Sequence, residues 1–272
     1  MTVIESPSPT DMVRTIWCHR NLALALVKRE FSGRYRGSFG GILWSFIQPL
    51  FLLAVYTLAF GVILKARWGF SGGTADYALM LFAGLIVFNA FAECFSKAPT
   101  LITANPNYVK KVVFPLEILA WVTSLTALFH ALIGVAVWII GYTLLFGWPK
   151  LTVLYFPVVL AIFLPVLLGI GWLFSAIGVI VRDISQLTGL LSHALLFLTP
   201  IFFSIDAAPS MLQPLLMANP LTFIVEQLRL VLFIGHAPNF KGLAVYFLFS
   251  TTFSWLAFAV FRRLRKSFAD WV

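Results

Sequence analysis

Six apolar stretches, each long enough to cross a bilayer, run through this sequence at roughly Ile42–Leu64, Tyr77–Phe95, Ile118–Phe146, Val153–Val181, Leu187–Phe203 and Leu243–Phe261. About twenty apolar residues in helical form span the hydrocarbon core, where only helices and closed barrels satisfy every backbone group. Barrel strands would be about ten residues of alternating character, and runs this long exclude them. The sequence predicts an all-α, polytopic integral membrane protein with six transmembrane helices.

The basic residues orient it. With the N-terminus in the cytoplasm, fourteen cations lie inside: Arg14, Arg20, Lys28, Arg29, Arg34, Arg36, Lys97, Lys110, Lys111, Arg182, Arg262, Arg263, Arg265 and Lys266. Only five lie outside, namely Lys65, Arg67, Lys150, Arg229 and Lys241. This is the asymmetry of the positive-inside rule, and it places both termini in the cytoplasm. The net charge of +9 is thus explained by anionic lipid headgroups, and nucleic acid is not an expected partner. A seventh span at Leu221–Ile234 fails on length, on the charges of Glu226 and Arg229, and on sidedness, since it would put Arg262–Lys266 outside. The region Ile205–Gly235 reads instead as short re-entrant helices in the outer leaflet, broken by Pro209, Pro214 and Asn219-Pro220. Glu226 and Arg229 are three apart on a helix and can pair there.

Charged residues make up only 11% of the chain, which leaves no room for a sizeable soluble domain. No linker, repeat or low-complexity tract divides it, and the N-terminus lacks the order of a cleaved signal. Cys18 and Cys94 are isolated on a reducing side, so neither a disulfide nor a metal site is expected. No GxxxxGK[ST], HExxH, CxxC or GxSxG motif occurs. His130 and His193 fall within spans, where neutral rings bonded across helices are expected. Glu93 and Glu117 have no second acid at helical spacing for acid–base work. An enzyme is therefore not expected; a translocator that takes its energy from elsewhere is.

Two cytoplasmic segments stand out. In the N-terminal arm Asp11 can cap a helix begun after Pro9, with Met12, Val13, Ile16 and Trp17 on one side. Further on, Leu24, Val27 and Phe31 alternate with cations, the pattern of an amphipathic interfacial helix. Plain anchoring and collection of an anionic lipid-linked substrate by Arg29, Arg34 and Arg36 are both open on these residues, the guanidinium fork being suited to pyrophosphate. The second segment, Thr103–Pro115, has a proline near each end, an aromatic residue at Tyr108 read as exposed, and the pair Lys110-Lys111. It reads either as a docking element for a soluble motor or as an ordinary solvated loop.

These residues carry a resemblance. Arg29-Glu30-Phe31-Ser32-Gly33-Arg34-Tyr35-Arg36-Gly37-Ser38 with Gly41-Ile42-Leu43-Trp44 and Gln48-Pro49 resembles the start of the first span of type-2 ABC exporter permeases. Asn107-Tyr108-Val109-Lys110-Lys111 with Phe114-Pro115-Leu116-Glu117 resembles their coupling segment. Val181-Arg182-Asp183-Ile184, Thr199-Pro200-Ile201-Phe202-Phe203 and Asn219-Pro220 resemble the pattern after their fourth span. Each motif alone is unspecific, but the ordered set runs from about Arg20 to the C-terminus. It is most similar to the polysaccharide and polyol-phosphate branch, and within that to O-antigen exporters. Thr199 and Gly40 depart from the commoner Ser and Leu without changing the class.

The resemblance implies a homodimer in the bacterial inner membrane, two separate ATP-binding subunits that hold the ATP and Mg, no cofactor on this chain, and a polyprenyl-pyrophosphate-linked polysaccharide as cargo. It also implies roles. Arg29, Arg34, Tyr35 and Arg36 would bind the headgroup. Asn105, Asn107, Tyr108, Lys110, Lys111, Arg182 and Asp183 would couple to the ATPase. Pro200, Asn219, Pro220, Glu226 and Arg229 would form an outer gate. Trp44, Tyr56, Phe60, Phe88 and Phe91, on the first two spans, are candidates for a channel lining, against the plainer expectation that such rings face lipid or pack the bundle. The chain then divides into an arm (1–41), a six-span bundle (42–263) with a coupling segment at about 98–114 and a gate region at about 205–236, and a tail (264–272). The alternatives are a capsule or teichoic-acid type polymer exporter, a drug exporter of the same fold, a membrane-embedded glycan transferase and an ion channel. The basic arm disfavours a neutral drug. The isolated Asp76, Asp183 and Asp206 supply no transferase chemistry, and no filter-like loop supports a channel.

Overall fold

The computed structural model describes residues 8–35, 37, 39–63, 65, 73–110 and 114–271. Arg36, Lys111 and the side chain of Tyr35 lie outside the described residues, as does the end of the first apolar stretch. Every regular element among the described residues is helical.

Two helices precede the bundle, α1 (Pro9–Cys18) and α2 (Arg20–Tyr35). The cap of α1 is Ser8 rather than Asp11. Ser8 Oγ accepts from the Thr10 amide while Asp11, in the first turn, accepts from the Ser8 amide. This reciprocal box satisfies two otherwise orphaned donors, which a lone Asp11 cap would not. The expected single apolar side of α1 divides in two. Met12 is buried and Ile16 packs against the core, whereas Val13 and Trp17 stay exposed.

Among the described residues five helices are long and apolar enough to cross a membrane. They are α3 (Trp44–Ile63, π-helical from Thr57), α4 (Thr74–Lys97), α6 (Ile118–Phe146), α7 (Phe156–Ile180) and α11 (Phe240–Leu264). The remaining predicted span, Leu187–Phe203, is a shorter helix, α8 (Ile184–Leu198). At 1.5 Å per residue its 15 residues reach about 22 Å, less than the ~30 Å hydrocarbon core. The helix stops because Pro200 has no amide to donate, and the Thr199 hydroxyl turns back to the Leu195 carbonyl at 2.7 Å. Three short helices complete the chain before and after it: α5 (Pro106–Val109), α9 (Gln213–Ala218) and α10 (Pro220–Arg229), with α12 (Phe268–Trp271) at the end.

The core lies around α4, which packs on α6, α7, α8 and α10. It is apolar on nearly every side, so almost all of it is buried, from Tyr77 to Phe95. By contrast α3 is apolar but largely uncovered, with Phe51, Leu58 and Ile63 exposed. The tightest pairing is α7 with α11. Close approach elsewhere depends on small residues, as in membrane bundles generally. Gly178 of α7 touches the backbone of Pro99, at the turn that follows α4. Trp172 of α7 is wholly buried and donates its indole N–H to the Glu117 carbonyl at 3.0 Å.

Candidate functional site

The functional features gather at the two ends of the bundle. At the end that carries the N-terminal helices, Glu93 on α4 is the hub. Its Oε1 accepts from Arg34 Nη1 of α2 and from Lys97 Nζ, both at 2.9 Å, and its Oε2 lies 2.7 Å from His130 Nδ1 of α6. Lys97 also binds Glu30 of α2 at 2.8 Å. The basic arm is thereby fastened to α4 through charge-assisted bonds, and Glu93 in turn ties α4 to His130 of α6. Glu93 is only 11% exposed, so these bonds are worth more than those of a solvated surface pair.

The neighbouring segment Thr103–Lys110 is held differently. The ring of Tyr108 lies flat on Phe114, with centroids 4.2 Å apart and planes 4° apart. The Arg29 guanidinium sits 5.8 Å from the Tyr108 ring centroid, within the range of a cation–π contact. Asn105 donates its amide to the Leu101 carbonyl. Asn107 and Lys110 are exposed. Arg182 and Asp183, in the turn between α7 and α8, are exposed on the same side, and Arg182 shares a hollow with Thr100, Thr103 and Trp271. The C-terminal end of α11 closes this face. Arg265 reaches Glu117 at 2.6 Å and the Phe114 carbonyl at 3.2 Å, and Arg262 reaches Asp11 at 3.0 Å.

At the opposite end a wholly buried guanidinium organises the break after α8. Arg229 donates Nε to the Met80 carbonyl at 3.0 Å, Nη2 to that of Ile201 at 2.9 Å, and Nη1 to Pro200 O at 2.6 Å and Glu226 Oε1 at 2.8 Å. Gly84 leaves the space, since a Cβ there would stand 2.8 Å from Nη2. Beside it, Asn219 accepts from the Leu221 amide, starting α10, and donates to Thr199 Oγ1 at 3.0 Å. Tyr77 donates to the Phe202 carbonyl, and Phe202 stacks on Phe60 at 4.6 Å and meets Tyr56 edge-on at 5.3 Å.

The signature of the ABC-2 type transporter family matches residues 21–233, most of the chain and both of these ends. The chain belongs to the ABC-2 type transporter family. It is a multi-pass membrane permease. It is similar to the O-antigen export system permease protein RfbA of Myxococcus xanthus, 26% identical over 261 residues that cover 95% of this chain and 98% of that protein. Two proteins of the same name from Klebsiella pneumoniae are 24% and 22% identical, each over 92% of this chain and 94% of their own length.

Within this ABC-2 permease the sequence-derived residues separate into groups. The five residues Pro200, Asn219, Pro220, Glu226 and Arg229 come together around the break after α8, with Arg229 bonded to two of them. The expected pair of Arg229 with Glu226 forms, and the arginine lies inside the protein, where it holds three backbone carbonyls as well. Arg29 and Arg34 lie at the Glu93 end, each already engaged within the chain. Tyr108 is not the exposed aromatic expected of its loop, because Phe114 folds back beneath it; Asn107 and Lys110 present the free surface. Of the aromatic residues proposed for a channel, Trp44 is exposed, while Tyr56 and Phe60 gather at Phe202. Phe88 and Phe91 are 5% and 6% exposed in the core around α4, and Phe91 borders an apolar cavity of about 990 Å³ together with Phe95, Phe174 and Tyr246. Sequence reasoning missed the Glu93 hub. The i, i+4 pair Glu93 and Lys97 was the available signal.

Proposed function

We propose that this chain is the membrane-spanning subunit of an ATP-driven exporter that moves a lipid-linked cell-surface polysaccharide, of O-antigen type, across the bacterial inner membrane. The observation that carries this reading is the match of over nine-tenths of the chain to three permeases named for O-antigen export. The chain works as a homodimer with two ATP-binding subunits, which supply the ATP and Mg that no motif here can hold. Both termini face the cytoplasm and there are six crossings. The sixth is made by α8, whose short helix is completed by the Arg229-pinned segment above it. That solution suits a bilayer, since non-helical backbone is tolerated at depth only where protein satisfies it.

In this arrangement α1 and α2 lie at the inner interface, with Val13 and Trp17 turned to lipid. Arg29, Arg34, Tyr35 and Arg36 receive the pyrophosphate headgroup. Asn105, Asn107, Tyr108, Lys110, Lys111, Arg182 and Asp183 transmit the ATPase stroke, with Asn107 and Lys110 as the contact surface. Trp44, Tyr56 and Phe60 border the cargo path, and Pro200, Asn219, Pro220, Glu226 and Arg229 form the outer gate.

Co-expression with a candidate ATPase in membrane vesicles tests the reading. Glycan should reach the far side only with both proteins and hydrolysable ATP. Nucleotide binding by the isolated chain, or glycan export that persists without it, would overturn the assignment.

A further inference from the structure

Beside the Glu93 hub a cavity of about 340 Å³ opens between α3, α4 and α6. It is lined by Phe82, Ile86, Asn89 and Glu93 along one face of α4, together with Gln48 and His130. Two of these side chains are anomalous. Asn89 is exposed although its neighbours Phe88 and Ala90 are buried, and Gln48 is exposed one turn into the first span. Among the described residues neither amide has a hydrogen-bond partner. Asn89 lies two turns, about 12 Å, from Lys97 along the helix, well inside the hydrocarbon. An amide facing lipid there would leave two donors and an acceptor unmet, at a cost of several kcal/mol. Polar side chains at such depth face the bundle interior or an aqueous path.

The chemistry of the cavity indicates what it meets. The carboxylates Glu30 and Glu93 are matched by Lys97 and Arg34, so no excess of cations is left for a phosphate. What remains are groups that both donate and accept, Gln48 and Asn89, next to a fixed carboxylate. That suits a neutral ligand rich in hydroxyls. The volume falls within the ~300–1,000 Å³ of ordinary small-ligand pockets. We propose that Gln48, Asn89 and Glu93 form a binding site for sugar units of the transported glycan at the inner mouth of its path, with Arg34 marking the side from which the headgroup arrives. This rests on the polysaccharide-export reading.

The test uses the complete exporter with its ATPase. Asn89→Leu and Gln48→Leu should assemble at wild-type yield with thermal stability equal or higher, because an unpaired amide is removed from apolar surroundings. Export should fall about tenfold on losing one or two sugar hydrogen bonds. Asn89→Ser, which keeps a donor and an acceptor, should restore most of it. A photocrosslinking residue at position 89 should yield adducts that a glycan-specific lectin detects. Export within about twofold of wild type in both Leu variants, with no glycan adduct, overturns the proposal. So does a loss of assembly with crosslinks only to a second copy of the chain, which would make the amides a subunit contact. A wild-type exporter that moves no glycan refutes the export reading itself, and this site with it. Normal wild-type export beside indifferent variants refutes the site alone.

Discussion

Arg229→Met is the sharpest perturbation the structure offers. The guanidinium is fully buried and makes four bonds that replacement by methionine abolishes at once. Three acceptors are main-chain carbonyls on two different elements, α4 and the break after α8. Removing one member of a buried charged network costs about 3–5 kcal/mol, because the partners left behind are desolvated without compensation. Methionine fills part of the volume, which places the expectation at the lower end. A loss of about 3 kcal/mol corresponds to a fall in melting temperature of roughly 6–12 °C for a chain of this size. The purified protein in one detergent gives the readout by tryptophan fluorescence or static light scattering.

A second substitution makes the reasoning specific to the guanidinium. Gly84→Ala places a Cβ 2.8 Å from Arg229 Nη2 and 3.4 Å from Val225 Cγ1. In the wild-type background it should destabilise by about 1–3 kcal/mol through overpacking. With Arg229→Met the obstructing nitrogen is gone, so the same alanine should cost less, with a coupling of at least ~0.5 kcal/mol. An unchanged melting temperature for Arg229→Met would refute the argument. An equal cost for Gly84→Ala in both backgrounds would do the same.

Other consequences can be checked separately. Gly178→Ala, whose Cβ would collide with the Pro99 backbone, should reduce folded yield sharply, whereas Gly33→Ala, with open space around it, should be neutral or stabilising by up to ~1 kcal/mol; purification yield and melting temperature decide it. Tyr108→Ala should weaken ATPase docking by removing a stacked ring worth about 0.5–1.5 kcal/mol, while Tyr108→Phe should be silent; co-purification with the ATPase measures both. In a Cys18→Ser background, single cysteines at Lys241 should label from outside, and those at Lys110 and Lys266 only after permeabilisation. Outside labelling at Lys266 would overturn the six-crossing arrangement.

How much of this was legible in the sequence depended on whether the cause was local. Twenty apolar residues in a row are a local fact, so the long helices were readable. The break after α8 was half readable. Pro200 was visible, but an apolar run continuing to Phe203 outweighed it in a count of hydropathy, and the helix ends five residues before that point. Glu93 and Lys97 stood at helical spacing, yet nothing local tied them to Glu30, Arg34 and His130. The partial burial of Tyr108 depends on its stacking against Phe114, a contact six positions along the chain that side-chain character does not encode.

Arg229 is the clearest case of the non-local kind. Three of its four acceptors are carbonyls, which every residue possesses, so no pattern of side chains marks them in advance. One of them lies 149 positions away along the chain. What the sequence did show was a cost: an arginine in an apolar segment must be compensated somewhere. The Glu226 pairing met that requirement on paper and made further partners unnecessary to seek. The structure shows why the pairing alone would be insufficient. Glu226 remains 35% exposed while Arg229 is not exposed at all, so one partner keeps its water and the other has lost all of it. The difference is made up by the carbonyls of Pro200 and Ile201, which the break after α8 frees, and by that of Met80 inside α4, whose oxygen has a second lone pair to offer. A charge deep in a membrane protein therefore points, from sequence, to a helix break near it in space, and Pro200 was that break.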